Sequence, residues 1–112
     1  MNDIIIIVPT LNEKENIEIL FNKLNTTNIR FDLLFIDDNS SDGSQEEITG
    51  LAKNNQNINY IFRPQKIGVG SAHKDGFIWA YKKHYKTIIT MDADGTHDSK
   101  YLKPLIEELK NF

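Results

Sequence analysis

The sequence predicts an α/β fold, a largely parallel sheet covered by helices, and three observations carry that prediction. Short apolar runs rich in β-branched residues recur at 4–8, 31–36, 59–62 and 87–91. Each run is followed by a segment whose apolar residues return at helical spacing. Nearly all the unusual polar residues fall directly after the four runs. Alternating strand and helix is the pattern of βα units, and parallel strands gather the loops that follow them on one edge of the sheet.

The first run, Ile4 to Val8, is apolar at every position, as a strand covered on both faces should be. Pro9 fixes its own φ and is expected to end it. Thr10, Asn12 and Glu13 then offer donors and acceptors at the start of a helix whose apolar face is Ile17, Leu20, Phe21 and Leu24. Asn12 stands three before Glu15, a helix-start pattern, so it reads either as a cap or as a site residue.

The second strand leads into Asp37-Asp38. One carboxylate can face the rim and accept from a nucleobase N–H or a sugar hydroxyl, while the other turns inward to hold the loop. Residues 39–44 are turn chemistry, so Asp42, Gly43 and Ser44 read as structural. Ser44, three before Glu47, marks a helix carrying Ile48, Leu51 and Ala52. After the third strand, Gly68-Val69-Gly70 opens a helix whose apolar residues at helical spacing are Ala72, Phe77, Ala80 and Tyr81, with backbone able to approach a ligand closely, and Arg63 and Lys66 bring clustered positive charge to the rim. A dinucleotide fingerprint is not satisfied: His73 stands where its third glycine belongs, and the motif follows the third strand instead of the first. No Walker loop occurs. Helix-face positions are expected for His73 and His84, and packing for Trp79.

The fourth strand ends in Asp92-Ala93-Asp94, followed by a helix with Leu102, Leu105, Ile106 and Leu109 and with Pro104 in its first turn. Side chains at i and i+2 of an extended segment share one side, so Asp92 and Asp94 can converge on one cation. Unscreened by a cation they would repel by about 4 kcal/mol at ~4 Å and an effective dielectric of ~20. Oxygen ligands favour Mg²⁺ or Mn²⁺, completed by water and phosphate oxygens. Solvated loop acids are the alternative reading of the pair alone, and His97 reads equally as a further ligand or as polar surface.

At 112 residues the chain makes one domain, residues 1–112, with no internal boundary and no cysteine. A net charge of −3 argues against a nucleic-acid partner, whose footprint would be a basic stripe. No apolar run approaches a membrane span and no signal peptide is evident, so the expected setting is cytoplasmic. The basic cluster at 82–86 reads as a solvated helix end, with an anionic surface as the alternative.

Taken together, Ile7-Val8-Pro9-Thr10-Leu11-Asn12-Glu13, Ile36-Asp37-Asp38-Asn39-Ser40-Ser41-Asp42-Gly43-Ser44, Arg63-Pro64-Gln65-Lys66-Ile67-Gly68-Val69-Gly70-Ser71-Ala72 and Met91-Asp92-Ala93-Asp94 resemble the inverting GT-A glycosyltransferases of family 2. The subgroup they are most similar to is the dolichyl- or polyprenyl-phosphate mannosyltransferases. The resemblance implies a Rossmann-like nucleotide-binding half with sheet order 3-2-1-4, helices on both faces, and a nucleoside-diphosphate sugar (GDP-mannose or a UDP-sugar) across the strand ends. By matching positions, Pro9, Thr10, Asn12 and Glu13 would line the nucleoside pocket, Asp38 would contact the base with Asp37 supporting it, and Lys66 and Gly68 would adjoin the nucleotide sugar. Asp92 and Asp94, with Ala93 between them, would be the catalytic metal site, holding Mg²⁺ or Mn²⁺ against the diphosphate. The acceptor would be a lipid phosphate or a saccharide, and the setting cytoplasmic with peripheral membrane contact.

Two departures are visible. Gly95-Thr96-His97 follows the acidic pair where the subgroup commonly has Leu-Gln/Ser-His, and the family's acceptor-side half is not in these 112 residues. The latter leaves a rival expectation, a module that binds a nucleotide sugar without transferring it, and exposes the edge of the fourth strand to self-association. A phosphoacceptor signalling domain is disfavoured, since the first strand ends in Pro9-Thr10 and the third in Arg63-Pro64, where such domains need acids.

Overall fold

Strand β1 (Ile4–Thr10) lies inside the sheet, and simple alternation divides its side chains between two cores. Ile4, Ile6 and Val8 enter one core with Leu33 and Phe35, while Ile5 and Ile7 enter the other with Leu34 and Ile36. Each such side chain, fully buried, contributes about 1.5–3 kcal/mol. Both faces being covered, the strands read as continuous apolar runs.

The computed structural model describes residues 2–65 and 67–93. Within them β1 is followed by α1 (Lys14–Asn25), β2 (Asp32–Asp37), α2 (Ser44–Asn54), β3 (Ile58–Phe62), α3 (Val69–Lys82) and β4 (Thr87–Thr90). All pairings are parallel and the order is β3-β2-β1-β4, as the resemblance implied. Ile17, Leu20, Phe21 and Leu24 of α1 and Ile48 of α2 cover one face. Ala72 and Ala80 of α3 cover the other. The expected fourth helix, Lys66, Asp94, Thr96 and His97 lie outside the described residues.

Three boundaries differ from the sequence reading, each for a physical reason. β1 does not stop at Pro9 but continues to Thr10. Met91 N–H donates to Ile7 O on the β4 side and Asp38 N–H to Thr10 O on the β2 side, so by alternation Pro9 faces β4, which has ended at Thr90. Its missing N–H therefore breaks no ladder bond. Asn12 does not cap α1: it takes a left-handed φ of 54°, and the helix begins at Lys14 with no side-chain cap of its own. Instead the neighbouring loop supplies acceptors. Asn12 N–H donates to Ser40 Oγ at 2.8 Å, Glu13 N–H to Ser44 Oγ at 2.9 Å and Lys14 N–H to Asp42 Oδ2 at 3.2 Å. Ser44 is accordingly the first residue of α2, behind Gly43 at a φ of 99°, and not a capping-box residue.

Helix α3 rests on the sheet through Ala72, Gly76 and Ala80, a stripe of small residues four apart. A Cβ added at Gly76 would lie 2.7 Å from Ile7 Cγ2 and 2.9 Å from Ile36 Cδ1, both on fully buried side chains. Gly76→Ala should therefore destabilise the fold, since overpacking costs about 1–3 kcal/mol against the ~1 kcal/mol that alanine gains over glycine in a helix. Gly50→Ala, where a Cβ meets nothing within 4 Å, should stabilise it. Thermal unfolding by circular dichroism checks both; an unchanged or raised Tm for Gly76→Ala would mean that α3 sits further from the sheet.

Candidate functional site

The carboxyl ends of β1 and β2, the segment after β4 and the first turn of α3 enclose a cavity of about 320 Å³. Its walls are Pro9, Thr10, Leu11 and Glu13 after β1, Ile36 and Asp38 from β2, Gly68 and Ala72 at the start of α3, and Asp92 and Ala93 after β4. Pro9, Thr10, Glu13, Asp38, Gly68, Asp92 and Ala93 were expected here from sequence, and the fold brings these seven together. Asn12 and Asp37 do not line the cavity. Asn12 is exposed and its Oδ1 accepts from Ser41 N–H, which ties the β1–α1 loop to the β2–α2 loop.

Asp37 and Asp38 reach into different neighbourhoods, and both are buried. Asp37 is fully enclosed and accepts from Thr10 Oγ1 (2.6 Å), Ser40 N–H (2.8 Å), Ser40 Oγ (2.6 Å) and Gln45 Nε2 (3.0 Å). Four donors fill the sites a carboxylate offers, so Asp37 braces the rim from beneath. Asp38 accepts from Arg63 Nε at 2.9 Å, from Ile67 N–H at 3.0 Å and from Gly68 N–H at 2.8 Å. The Ile67 N–H is shared with the second carboxylate oxygen at 3.1 Å, so both oxygens of Asp38 are engaged where it meets the cavity.

Arg63 is not the rim cation that the sequence suggested. Its guanidinium is 4% exposed and donates to Asp38, to Ser71 Oγ at 2.9 Å, to Asp75 Oδ2 at 3.1 Å and to Gly68 O at 2.8 Å. Burial pulls the Arg63 pKa down, but its hydrogen bonds to Asp38 and Asp75 more than reverse this and keep it charged. For Asp38, burial pushes upward, and the bonds from Arg63, Gly68 and Ile67 outweigh it to hold the carboxyl below the ordinary carboxylate value.

Sequence reasoning missed Leu11, Ile36 and Ala72 as cavity walls, and Ser71 and Asp75 as partners of Arg63. Ala72 was findable, four residues beyond Gly68 on the same helical face. The Arg63–Asp38 contact follows from the register, which places Asp37 beside Phe62 and so makes the next residue on each strand neighbours. At the opposite edge of the sheet, Trp79 stacks on Tyr85 with ring centroids 6.1 Å apart and packs against the second core, as expected.

Arg63→Met should destabilise the protein by about 3–5 kcal/mol, because it leaves the Asp38 charge buried without its partner; chemical denaturation measures this. The depressed Asp38 pKa adds a pH dependence of known sign. A carboxyl lowered on folding contributes stability that is fully present above its ordinary value of 3.8 and is lost as pH falls through the folded pKa. Stability should therefore fall below about pH 4, and less so in Asp38→Asn; equal acid sensitivity in the two proteins would show that other groups govern it.

Residues 5–112 match the family described as Glycosyl transferase family 2. The chain is 31% identical over 107 residues to an undecaprenyl-phosphate mannosyltransferase of Micrococcus luteus, covering 96% of this chain and 44% of that protein. It is 36% identical over 109 residues to a dolichol-phosphate mannosyltransferase of Saccharomyces cerevisiae, covering 93% of this chain and 40% of that protein. It thus spans less than half the length of these relatives. Its fold matches the mannosyltransferase PcManGT from Pyrobaculum calidifontis, solved with GDP-Man and Mn²⁺, at a TM-score of 0.70 and 20% identity over 82% of this chain and 27% of that one. A family match over nearly every residue, with the same fold and four strand-end motifs around one cavity, establishes that the chain belongs to glycosyl transferase family 2.

Proposed function

We propose that the cavity binds a nucleoside-diphosphate sugar, GDP-mannose or a UDP-sugar, for inverting transfer of the sugar to a polyprenyl phosphate or a saccharide. The observation that carries this reading is the cavity itself: its volume suits a small ligand and its walls come from the four strand-end motifs. GDP-mannose in the PcManGT complex supports it by analogy of fold.

In this reading Pro9, Thr10 and Glu13 hold the nucleoside, and Asp38, on the cavity wall, contacts the base. Asp37 and Asn12 act from behind, fixing the two loops. Gly68, at a φ of 120°, lets backbone approach the ligand, and Lys66 adds positive charge near it. Asp92 is an exposed carboxylate on the cavity wall, which fits oxygen coordination of Mg²⁺ or Mn²⁺, and Asp94 would complete the pair. Among the described residues no cluster of three or more His, Cys, Asp or Glu is arranged for a metal, so diphosphate oxygens and water supply the other ligands. When bound, such an ion offsets the charge that develops on the leaving diphosphate. A lipid-phosphate acceptor is already anionic near neutral pH and needs little help from a general base. The second reading is a module that binds the nucleotide sugar without transferring it. Turnover distinguishes the two.

No helix of the described residues is long and apolar enough to cross a membrane. We place the domain in the cytoplasm, in peripheral contact with the membrane that would hold a lipid acceptor.

Calorimetric titration with GDP and UDP, with and without Mn²⁺, tests the binding reading. Metal should tighten binding, and Asp92→Ala or Asp94→Ala should remove that gain, about tenfold or more for one lost charge-assisted contact. Binding indifferent to the metal and to both substitutions would refute the assigned roles. We also infer self-association through the edge of β4, which stands last in the sheet order among the described residues. Sedimentation should then show concentration-dependent association, whereas a monomer at every concentration would remove that inference.

A further inference from the structure

The small-residue stripe of α3 faces the sheet, so at 100° per residue the opposite side of the helix carries Lys74, Phe77, Ile78 and Tyr81. These side chains stand at the greatest distance from either core. Phe77 is 45% exposed, Ile78 46% and Tyr81 79%. The buried residues that α3 gives to the second core are Ala72 and Ala80.

Charge is segregated around the same face. Lys74, Lys82, Lys83 and Lys86 are all exposed on or just beyond α3, against a single acid, Asp75, whose carboxylate is engaged by Arg63. The chain as a whole carries −3. On the other side of the sheet the exposed charges of α1 and α2 are mixed, Glu15, Glu18 and Glu46 with Lys14, Lys23 and Lys53. Lys74 lies one turn before Phe77 and Ile78, and Lys82 one turn after Ile78, so lysines bracket the apolar residues along the helix. Such stems can lie along an apolar surface while their ammonium groups reach outward.

We infer that the outer face of α3 is a docking surface for an anionic lipid bilayer. Phe77, Ile78 and Tyr81 enter the headgroup region while Lys74, Lys82 and Lys86 pair with lipid phosphates, the arrangement of an interfacial helix. Charge complementarity selects this occupant: a protein partner would have to supply a matching acidic rim, whereas an anionic leaflet presents one everywhere. The helix then lies along the surface and holds the cavity about one helix diameter, ~10 Å, above it. This goes beyond the nucleotide-sugar reading, which specifies no face of the domain, and it stands on different residues.

Flotation with vesicles tests it, using a one-to-one mixture of phosphatidylcholine and phosphatidylglycerol against phosphatidylcholine alone. Neither preparation contains nucleotide or polyprenyl phosphate, so the result is independent of the titration above. The protein should float with the anionic vesicles only. Lys74→Gln/Lys82→Gln/Lys86→Gln should weaken binding about a hundredfold, near fivefold per lysine. Phe77→Ser/Ile78→Ser should weaken it as well, with Tm unchanged because both side chains are exposed. The lysine variant touches no packed residue and keeps the test valid should the apolar one unfold. Absence of flotation at low ionic strength, or flotation of both variants equal to that of the parent protein, would overturn the inference. So would a dimer in sedimentation that Phe77→Ser/Ile78→Ser abolishes, since the face would then belong to a second copy.

Discussion

Two adjacent carboxylates at the end of β2 organise the whole rim. Successive residues of a strand point to opposite faces, so Asp37 and Asp38 reach into different neighbourhoods. Asp37 gathers Thr10, Ser40 and Gln45 and thereby locks the loops after β1 and β2. Asp38 gathers Arg63 and the backbone of Ile67 and Gly68 and locks the loop after β3. Buried charges persist only when paired or fully hydrogen-bonded, and here one acid takes each course. Asp38 has a guanidinium, while Asp37 relies on hydroxyls, an amide and a backbone N–H. The cavity lies between the loops so fixed, and the walls that face a ligand are set before any ligand arrives.

Much of this was legible in sequence. The βα rhythm and the runs after each strand predicted the parallel sheet, because Ile4 to Val8 has no polar residue that could face water. Seven cavity residues followed from the strand-end loops together with the positions matched through the family resemblance. What could not be read was contact between elements distant in sequence. Local pattern made Asn12 a helix cap, whereas acceptors from the β2–α2 loop displaced it from that role. Composition made Arg63 a surface cation, and only the register of β2 against β3 shows that it must meet Asp38. Pro9 misled for the same reason, since whether a missing N–H ends a strand depends on where the neighbouring strand stops.

Helix α3 joins the site to the rest of the surface. Its first turn supplies Gly68 and Ala72 to the cavity, its inner stripe seats Gly76 against Ile7 and Ile36, and Ser71 and Asp75 bind Arg63. One element thus touches ligand cavity, core and charged hub within fourteen residues. A shift of this helix cannot leave the cavity unchanged, because its seat on the sheet has no slack.

The borrowed acceptors at the start of α1 also bear on how the chain folds. Donors at Asn12, Glu13 and Lys14 meet oxygens 28 to 31 residues further along, so the beginning of α1 is completed only after the chain has passed through β2 and turned toward α2. A ribosome-bound nascent chain would expose α1 with a frayed start until that later stretch emerges. The first two βα units are thereby made to mature as one cooperative block, in which an insertion between β2 and α2 would be felt first at the other helix.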